Sequence, residues 1–176
     1  MTPSDESETY RALSAGYDFN GPAAVRYPRG KGIGIPIDKS MRPLEVGKGL
    51  IRRDGNTVAI FAFGSMVKTA LEAAEKIGAT LVDMRFVKPL DEELISKLAA
   101  NHRLVVTVEE SAVMGGAGSA VNEFLAQTST PIQTLNLGLP DKFLEHGKPS
   151  EMLDEINLNC EGIIQAIKNK QDECGL

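Results

Sequence analysis

Residues 49–170 alternate short apolar runs with stretches of helical periodicity, and this alternation constrains the fold more than any other feature. The run 104–109 is rich in β-branched residues, as expected for a strand buried on both faces. Short loops between such runs and helices are typical of parallel strands with crossover helices. Further strands are predicted at 49–53, 57–63, 80–86 and 132–137, and helices at 65–77, from 91, at 118–127, near 150–156 and at 161–170. The pattern predicts an α/β fold: a three-layer sandwich with a mostly parallel sheet.

The first two strands of this region flank Asp54-Gly55-Asn56. Asp-Gly between two strand-like runs is typical of a β-hairpin. We therefore expect the strand at 49–53 to be an antiparallel edge strand, joined to its neighbour by this turn.

The first 48 residues follow a different pattern. Residues 1–20 are predicted to form one helix, with Thr2 as its cap, Pro3 in the first turn and an apolar face of Tyr10, Leu13 and Tyr17. A strand is predicted at 23–27. The stretch 31–48, which is rich in glycine and lacks periodicity, is predicted to be an interdomain linker.

Composition excludes several classes of function. Apolar residues make up 42% of the 176 residues and charged residues 24%, and the formal net charge is −5. An acidic balance without basic blocks argues against binding of nucleic acid or of an anionic membrane. The sequence has two cysteines and two histidines, too scattered for a metal site. Because the sequence has only two cysteines, Cys160 and Cys174, it favours a reduced, cytoplasmic setting.

Two arginines close the segment Ala-Val-Arg-Tyr-Pro-Arg-Gly at 24–30. Arginine stays charged at physiological pH and binds phosphate oxygens in pairs. Because Tyr27 precedes a proline, it favours extended backbone, which carries Arg29 beyond the end of the predicted strand. Taken alone, Arg26 and Arg29 also fit a solvated turn, and that simpler interpretation stays open at this point.

Other polar residues have structural interpretations. The loop at 115–119 follows a strand and opens a helix, as a phosphate cradle does, but it lacks the third glycine of Gly-x-Gly-x-x-Gly, so tight packing is favoured. One of Glu109 and Glu110 is expected to cap this turn. Asp83 and Arg85 lie two apart on one predicted strand and could pair with each other. We interpret Asp91 as a helix cap, and both histidines, at 102 and 146, as structural or solvated.

Six segments together resemble one family, the 1-deoxy-D-xylulose-5-phosphate synthases of the transketolase superfamily, in the family's own order. The likeness covers about residues 1–170. The segments are Met-Thr-Pro-Ser-Asp-Glu at 1–6, Ala-Val-Arg-Tyr-Pro-Arg-Gly at 24–30, the run 82–91, Val-Glu-Glu at 108–110, Met-Gly-Gly-Ala-Gly at 114–118 and Leu-Gly-Leu-Pro-Asp at 137–141.

The resemblance implies a function. Enzymes of this family condense pyruvate with glyceraldehyde 3-phosphate, release carbon dioxide and use thiamine diphosphate and magnesium. Their product feeds isoprenoid, thiamine and pyridoxal biosynthesis. The resemblance assigns Arg29 to the phosphate of glyceraldehyde 3-phosphate, and Arg26 less firmly to the same group. It assigns no catalytic, cofactor-binding or metal-binding residue to this chain.

The resemblance also implies an organisation. Residues 1–30 correspond to the tail of a middle, pyrimidine-binding-type domain, 31–48 to a linker and 49–176 to a transketolase C-terminal-like domain. The expected partners are the remaining N-terminal domains and a second copy in a homodimer, and the 176 residues alone are expected to be inactive and to bind no cofactor. Two alternatives stay open: a non-catalytic assembly module, and a β-chain fragment of a 2-oxoacid dehydrogenase.

Overall fold

The computed structural model describes residues 1–37, 40, 42–129 and 131–176. The predicted linker therefore lies partly outside the described residues, at 38, 39 and 41. The elements are α1 (Glu6–Asp18), β1 (Leu50–Arg53), β2 (Val58–Phe63), α2 (Met66–Ile77), β3 (Thr80–Asp83), α3 (Glu92–Ala99), β4 (Leu104–Ala112), α4 (Ala117–Gln127), β5 (Gln133–Leu139), α5 (Pro149–Glu155) and α6 (Cys160–Cys174).

The five strands form one sheet in the order β1-β3-β2-β4-β5. Strands β2 to β5 run parallel, and β1 pairs antiparallel with β3 at the edge. Helices cover both faces, so the predicted three-layer α/β architecture is confirmed.

The two faces of β2 show how the layers are built. Val58 and Ile60 belong to a core shared with α2 and α6, whereas Ala59 and Phe61 belong to a second core shared with α3 and α4. Successive strand residues point to opposite faces, so a strand buried on both sides must be apolar throughout. All six residues of β2 are buried.

The hairpin expectation was wrong. β1 pairs with β3 through Leu50↔Asp83 and Ile51↔Val82, and β3 lies between β1 and β2. The Asp-Gly-Asn turn crosses the start of β3, where the Asn56 amide donates to the Gly78 carbonyl (3.1 Å). A Cβ at Gly55 would overlap the backbone of Gly78 and Ala79. The glycine therefore serves a close crossing of two backbone segments rather than a two-residue hairpin.

The first helix also differs from the prediction. Asp5, not Thr2, caps α1, accepting a hydrogen bond from the Glu8 amide (2.8 Å). Thr2 is extended, and its amide donates to the Arg85 carbonyl (2.7 Å). The residues before the helix thus bind the end of β3.

The buried face of α1 is not the predicted one. Ser7, Glu8, Ala12 and Ala15 are buried, whereas Leu13 is 49% exposed and Tyr17 is 91% exposed. Ala12 and Ala15 pack with Leu44, which precedes β1, and with Phe86, which follows β3. The aromatic face points away from the sheet.

The predicted strand at 23–27 is absent. Residues 22–28 belong to no helix or strand, although Met1 pairs with them at two points: its amino group donates to the Ala24 carbonyl (2.8 Å) and its carbonyl accepts from the Arg26 amide (2.9 Å). Residues 1–37 contain no β-strand. This stretch docks on the sheet edge instead of forming a sheet of its own.

Candidate functional site

Arg29 lies at the exposed end of residues 22–30, hereafter the arginine segment. Its side chain is exposed and makes no hydrogen bond or ion pair with the residues that the structure describes. Tyr27, also exposed, and Pro28 directly precede it. The guanidinium is therefore free to meet a ligand from solution.

A groove of about 470 Å³ separates α1 from the stretch that follows Arg29. Both signs of charge line it, with Lys31 and Lys68 opposite Asp5 and Glu6. The Glu6 carboxylate accepts a hydrogen bond from the Gly34 amide (2.7 Å), and this bond lowers the pKa of Glu6 below its ordinary value. The apolar lining residues are Pro3, Tyr10, Leu13, Tyr27, Pro28, Ile33 and Ile37.

Arg26 points to a different part of the molecule. Its Nη2 donates to the Glu110 carbonyl (2.7 Å) at the end of β4. It lines a second cavity, of about 650 Å³, which is bounded by Phe63, the turn after β3 and the start of α4. The structure thus does not bring Arg26 and Arg29 into one cluster, and it gives Arg26 an anchoring contact.

The glycine-rich loop before α4 holds a carboxylate of its own chain. Glu109 accepts from the amides of Ala117 and Gly118 (2.8 Å each) and is 3% exposed. The expectation that a glutamate caps this turn is confirmed. Since the amides at the helix start are already bound to an anion, the loop does not offer them to a phosphate.

The remaining predicted residues have structural roles. Asp91 caps α3 through the Leu94 amide (3.2 Å). His102 joins the Thr80 hydroxyl at Nε2 to the Leu98 carbonyl at Nδ1 (2.8 Å each), so it ties α3 to β3. His146 is exposed. In the described ranges, no three His, Cys, Asp or Glu side chains are grouped so that they could hold a metal ion.

The pairing of Asp83 with Arg85 was wrong at the level of side chains. β3 ends at Asp83, and Arg85 adopts φ +57°, which turns its side chain toward α1. There Arg85 meets Glu8, with Nε to Oε2 at 2.7 Å and Nη2 to Oε1 at 2.8 Å. Asp83 instead accepts from the Ser4 hydroxyl (2.7 Å) and lies 3.6 Å from Arg52.

Sequence reasoning missed this buried charge cluster. Asp83 is fully buried, and burial is the main cause that raises its pKa to about 6, against the smaller lowering effects of Ser4 and Arg52. One signal was available: Glu8 shares a helix face with Ala12 and Ala15, so burial of the small residues implies burial of the glutamate.

Residues 47–163 match the family described as "Transketolase, C-terminal domain". The chain belongs to this family. The parallel sheet with its antiparallel edge strand is therefore the fold of a transketolase C-terminal domain. The predicted fold family is confirmed.

Two curated relatives of this transketolase C-terminal domain share a name. The chain is 56% identical over 172 residues to 1-deoxy-D-xylulose-5-phosphate synthase of Pseudomonas aeruginosa (strain LESB58), which covers 98% of this chain and 27% of the relative. It is 58% identical over 170 residues to the synthase of Pseudomonas syringae pv. syringae (strain B728a), covering 97% and 27%. The predicted resemblance to the C-terminal part of these synthases is confirmed, and the chain spans about a quarter of their length.

One solved structure is similar over most of this transketolase C-terminal domain chain. It is titled "Split gene transketolase, inactive beta4 tetramer" and has a TM-score of 0.87 at 33% identity. The match covers 96% of this chain and 56% of that one. Since nearly the whole chain is superposed, the likeness includes the N-terminal stretch as well as the sheet.

Proposed function

We propose that this chain is the C-terminal portion of a 1-deoxy-D-xylulose-5-phosphate synthase. The complete enzyme condenses pyruvate with glyceraldehyde 3-phosphate and releases carbon dioxide, which supplies isoprenoid, thiamine and pyridoxal biosynthesis. The observation that carries the proposal is the 56% identity across 98% of the chain to a synthase of that name. The chain's share of the work is to bind the acceptor substrate and to support the parts that hold the cofactor.

Arg29 binds the phosphate of glyceraldehyde 3-phosphate in this proposal. A phosphate dianion requires a permanent cation with paired donors, which a guanidinium provides and an ammonium does not. The exposed, unpaired side chain of Arg29 supports this role, because no partner among the described residues has to be displaced. Arg26 serves mainly as an anchor through Glu110, with its other guanidinium nitrogens available for a weaker contact with the same ligand.

In this proposal, residues outside this chain hold thiamine diphosphate and magnesium. Helix-start amides are a common site for phosphate groups, and magnesium is commonly held by one or two carboxylates together with phosphate oxygens and water. Glu109 already occupies the amides of α4, and residues 1–37, 40, 42–129 and 131–176 contain no group of three candidate metal ligands. We assign both cofactors to the remaining domains of the synthase and derive no chemical step through them here.

The remaining domains dock on the exposed apolar face of the N-terminal stretch. Leu13, Tyr17 and Phe19 are 49%, 91% and 47% exposed, and Tyr27, which lines the same groove as Leu13, is 57% exposed. Several large apolar side chains exposed on one short stretch typically mark an interaction surface. We infer that the 176 residues alone are inactive, and that the complete synthase is a cytoplasmic homodimer. In the described ranges no helix is long and apolar enough to cross a membrane.

A chimeric synthase tests the proposal. The chain replaces the matching 172 residues of the Pseudomonas aeruginosa synthase, and formation of 1-deoxy-D-xylulose 5-phosphate is measured with purified protein. We expect activity within about tenfold of the parent, because the two sequences are 56% identical over this region. A tenfold change corresponds to ~1.4 kcal/mol of transition-state stabilisation. A folded chimera that binds thiamine diphosphate but forms no product would contradict the proposal.

A further inference from the structure

Arg85 binds the N-terminal stretch with both its side chain and its backbone. Its guanidinium meets both carboxylate oxygens of Glu8, at 2.7 and 2.8 Å. Its carbonyl accepts from the Thr2 amide at 2.7 Å. The side chains of Arg85 and Glu8 are 9% and 5% exposed, so water does not compete effectively for this pair. A single residue at the end of β3 therefore fixes the stretch at two points, residues 2 and 8.

The backbone of Arg85 adopts a conformation that an arginine takes only at a cost. Its φ of +57° lies in the left-handed region, which a side chain with a Cβ disfavours and which glycine would adopt freely. Such conformations persist where the surrounding contacts determine them, and they concentrate at functional sites. Here the left-handed turn directs the carbonyl to Thr2 and the guanidinium to Glu8. The structure keeps an arginine where the backbone alone would favour glycine.

A continuous set of hydrogen bonds leads from Arg85 to the arginine segment. Thr2 is bound to Arg85, and its neighbour Met1 binds Ala24 and Arg26 through backbone bonds of 2.8 and 2.9 Å. The Arg26 side chain reaches the Glu110 carbonyl at 2.7 Å. Residues 24–26 are thus held on one side through Arg85 and on the other through β4. Arg29 follows three residues later, beyond the Tyr-Pro step.

Neighbouring charges keep the Glu8–Arg85 pair in place. Arg11 also contacts Glu8 (2.8 Å), and Arg52 lies 3.3 Å from Asp5, the residue that caps α1. The Asp83 carboxylate accepts from the Arg85 amide (3.2 Å), which supports the left-handed turn directly. Each charge in this cluster has an opposite partner, as buried charges require.

We propose that Arg85 is a positioning residue for Arg29: by fixing Thr2 and Glu8, it sets where the arginine segment presents its phosphate-binding guanidinium. This proposal rests on the proposed function of Arg29. It deepens that function by naming Arg85, more than fifty positions from Arg29 in the sequence, as the residue on which binding of the substrate phosphate depends.

The test uses the chimeric synthase with the variants Arg85→Met, Arg85→Lys and Arg29→Ala, and Arg103→Met as the matched control. Arg103 is an exposed arginine. Its backbone amide donates to the Thr57 carbonyl (2.8 Å), a bond that does not involve its side chain. We expect Arg85→Met to raise the KM for glyceraldehyde 3-phosphate by about tenfold, with little change in the KM for pyruvate, because a small displacement of a binding group is costly. Arg85→Lys, which retains the charge, is expected to recover part of this loss, and Arg103→Met to behave as wild type.

Hydrogen exchange of the 176-residue chain provides the structural readout. In Arg85→Met we expect the amides of Thr2 and Arg26 to exchange about tenfold faster or more, while those of β2 and β4 keep wild-type rates. A merely structural role would lower all protection together and would not change one KM selectively. If Arg85→Met does not fold, Glu8→Gln replaces it, with the same expectations.

The outcomes separate the two proposals. If Arg29→Ala raises the KM for glyceraldehyde 3-phosphate and Arg85→Met does not, the positioning role is overturned and the proposed function stands. If Arg29→Ala has no effect on that KM, the phosphate assignment fails, and the positioning role fails with it. Unchanged exchange at Thr2 and Arg26 in Arg85→Met also overturns the positioning role, whatever the kinetics.

Discussion

Glu109 and Ala117 are joined by a 2.8 Å hydrogen bond from the Ala117 amide to the buried Glu109 carboxylate. The second carboxylate oxygen accepts from Gly118 at the same distance. Glu109 of β4 thus supplies the negative charge that binds the amides at the start of α4. A loop with the composition of a phosphate cradle is closed by the protein itself.

We predict that Glu109→Gln destabilises the chain by about 1–3 kcal/mol, because one buried amide loses its acceptor and the helix start loses a negative charge. Urea unfolding monitored by circular dichroism measures this difference. Glu123→Gln, at an exposed position of the same helix, is the control and is expected to change stability little. Equal stabilities of the two variants would show that the Glu109 bonds contribute nothing.

Gly118 is packed so closely that it cannot accept a side chain. A Cβ there would overlap Thr107 Oγ1 and lie 2.5 Å from Asn136 Nδ2. Asn136 Nδ2 donates a hydrogen bond to Thr107 Oγ1 (2.6 Å). We predict that Gly118→Ala lowers the free energy of unfolding by about 1–3 kcal/mol through this overpacking.

The control for this substitution is Gly147→Ala. A Cβ at Gly147 would make only an ordinary contact, 3.5 Å from Met152 Cγ. Thermal unfolding of both variants is the measurement. A Gly118→Ala protein as stable as Gly147→Ala would mean that the close approach of α4 to the sheet is not needed.

The buried Asp83 makes stability depend on pH. Its pKa is about 6 in the folded chain against 3.8 for the ordinary carboxyl. The folded state therefore holds a proton more tightly than the unfolded state, and the contribution is fully present below pH 3.8 and is lost as pH rises through about 6. We predict that Asp83→Asn gains stability relative to wild type between pH 4 and 7.

The gain is at most ~3 kcal/mol, since one pKa unit corresponds to ~1.4 kcal/mol. Urea unfolding of both proteins at several pH values measures it. The control is Asp54→Asn, because Asp54 is exposed. A stability difference for Asp83→Asn that is constant from pH 4 to 7 would contradict the assignment.

The sequence predicted the sheet and its helices because their signals are local. A continuous apolar run identified β4 as a buried strand, and Asp91 and Gly78 stand at helix ends where the chemistry of each favours them. The antiparallel edge strand β1 was also predicted. Its partner was not, because Asp-Gly-Asn favours a turn without specifying which strand lies beyond it.

The charge cluster could not be predicted because it is made of residues far apart in sequence. Glu8 shares a helix face with the buried Ala12 and Ala15, which signals its burial, but its partner Arg85 lies 77 residues away and has no local signal. The left-handed backbone of Arg85 has no sequence signal, since arginine is not a residue that favours it. For the same reason the predicted strand 80–86 was too long.

The arginine segment was predicted from both its residues and the family resemblance. The exposure of Arg29 agrees with the expectation. The anchoring of Arg26 uses a backbone carbonyl, that of Glu110, and a backbone acceptor leaves no signal in the sequence. The role of Arg29 stays a prediction.

The KM of the chimeric synthase for glyceraldehyde 3-phosphate tests the central claim most directly, with Arg29→Ala compared with Arg29→Lys. Loss of a charge-assisted contact costs about 1.5–3 kcal/mol, so we predict a 10- to 100-fold rise for alanine and a smaller rise for lysine. The KM for pyruvate is predicted to stay within about twofold, because pyruvate carries no phosphate for Arg29 to bind. A KM for glyceraldehyde 3-phosphate that is unchanged in Arg29→Ala would contradict the account.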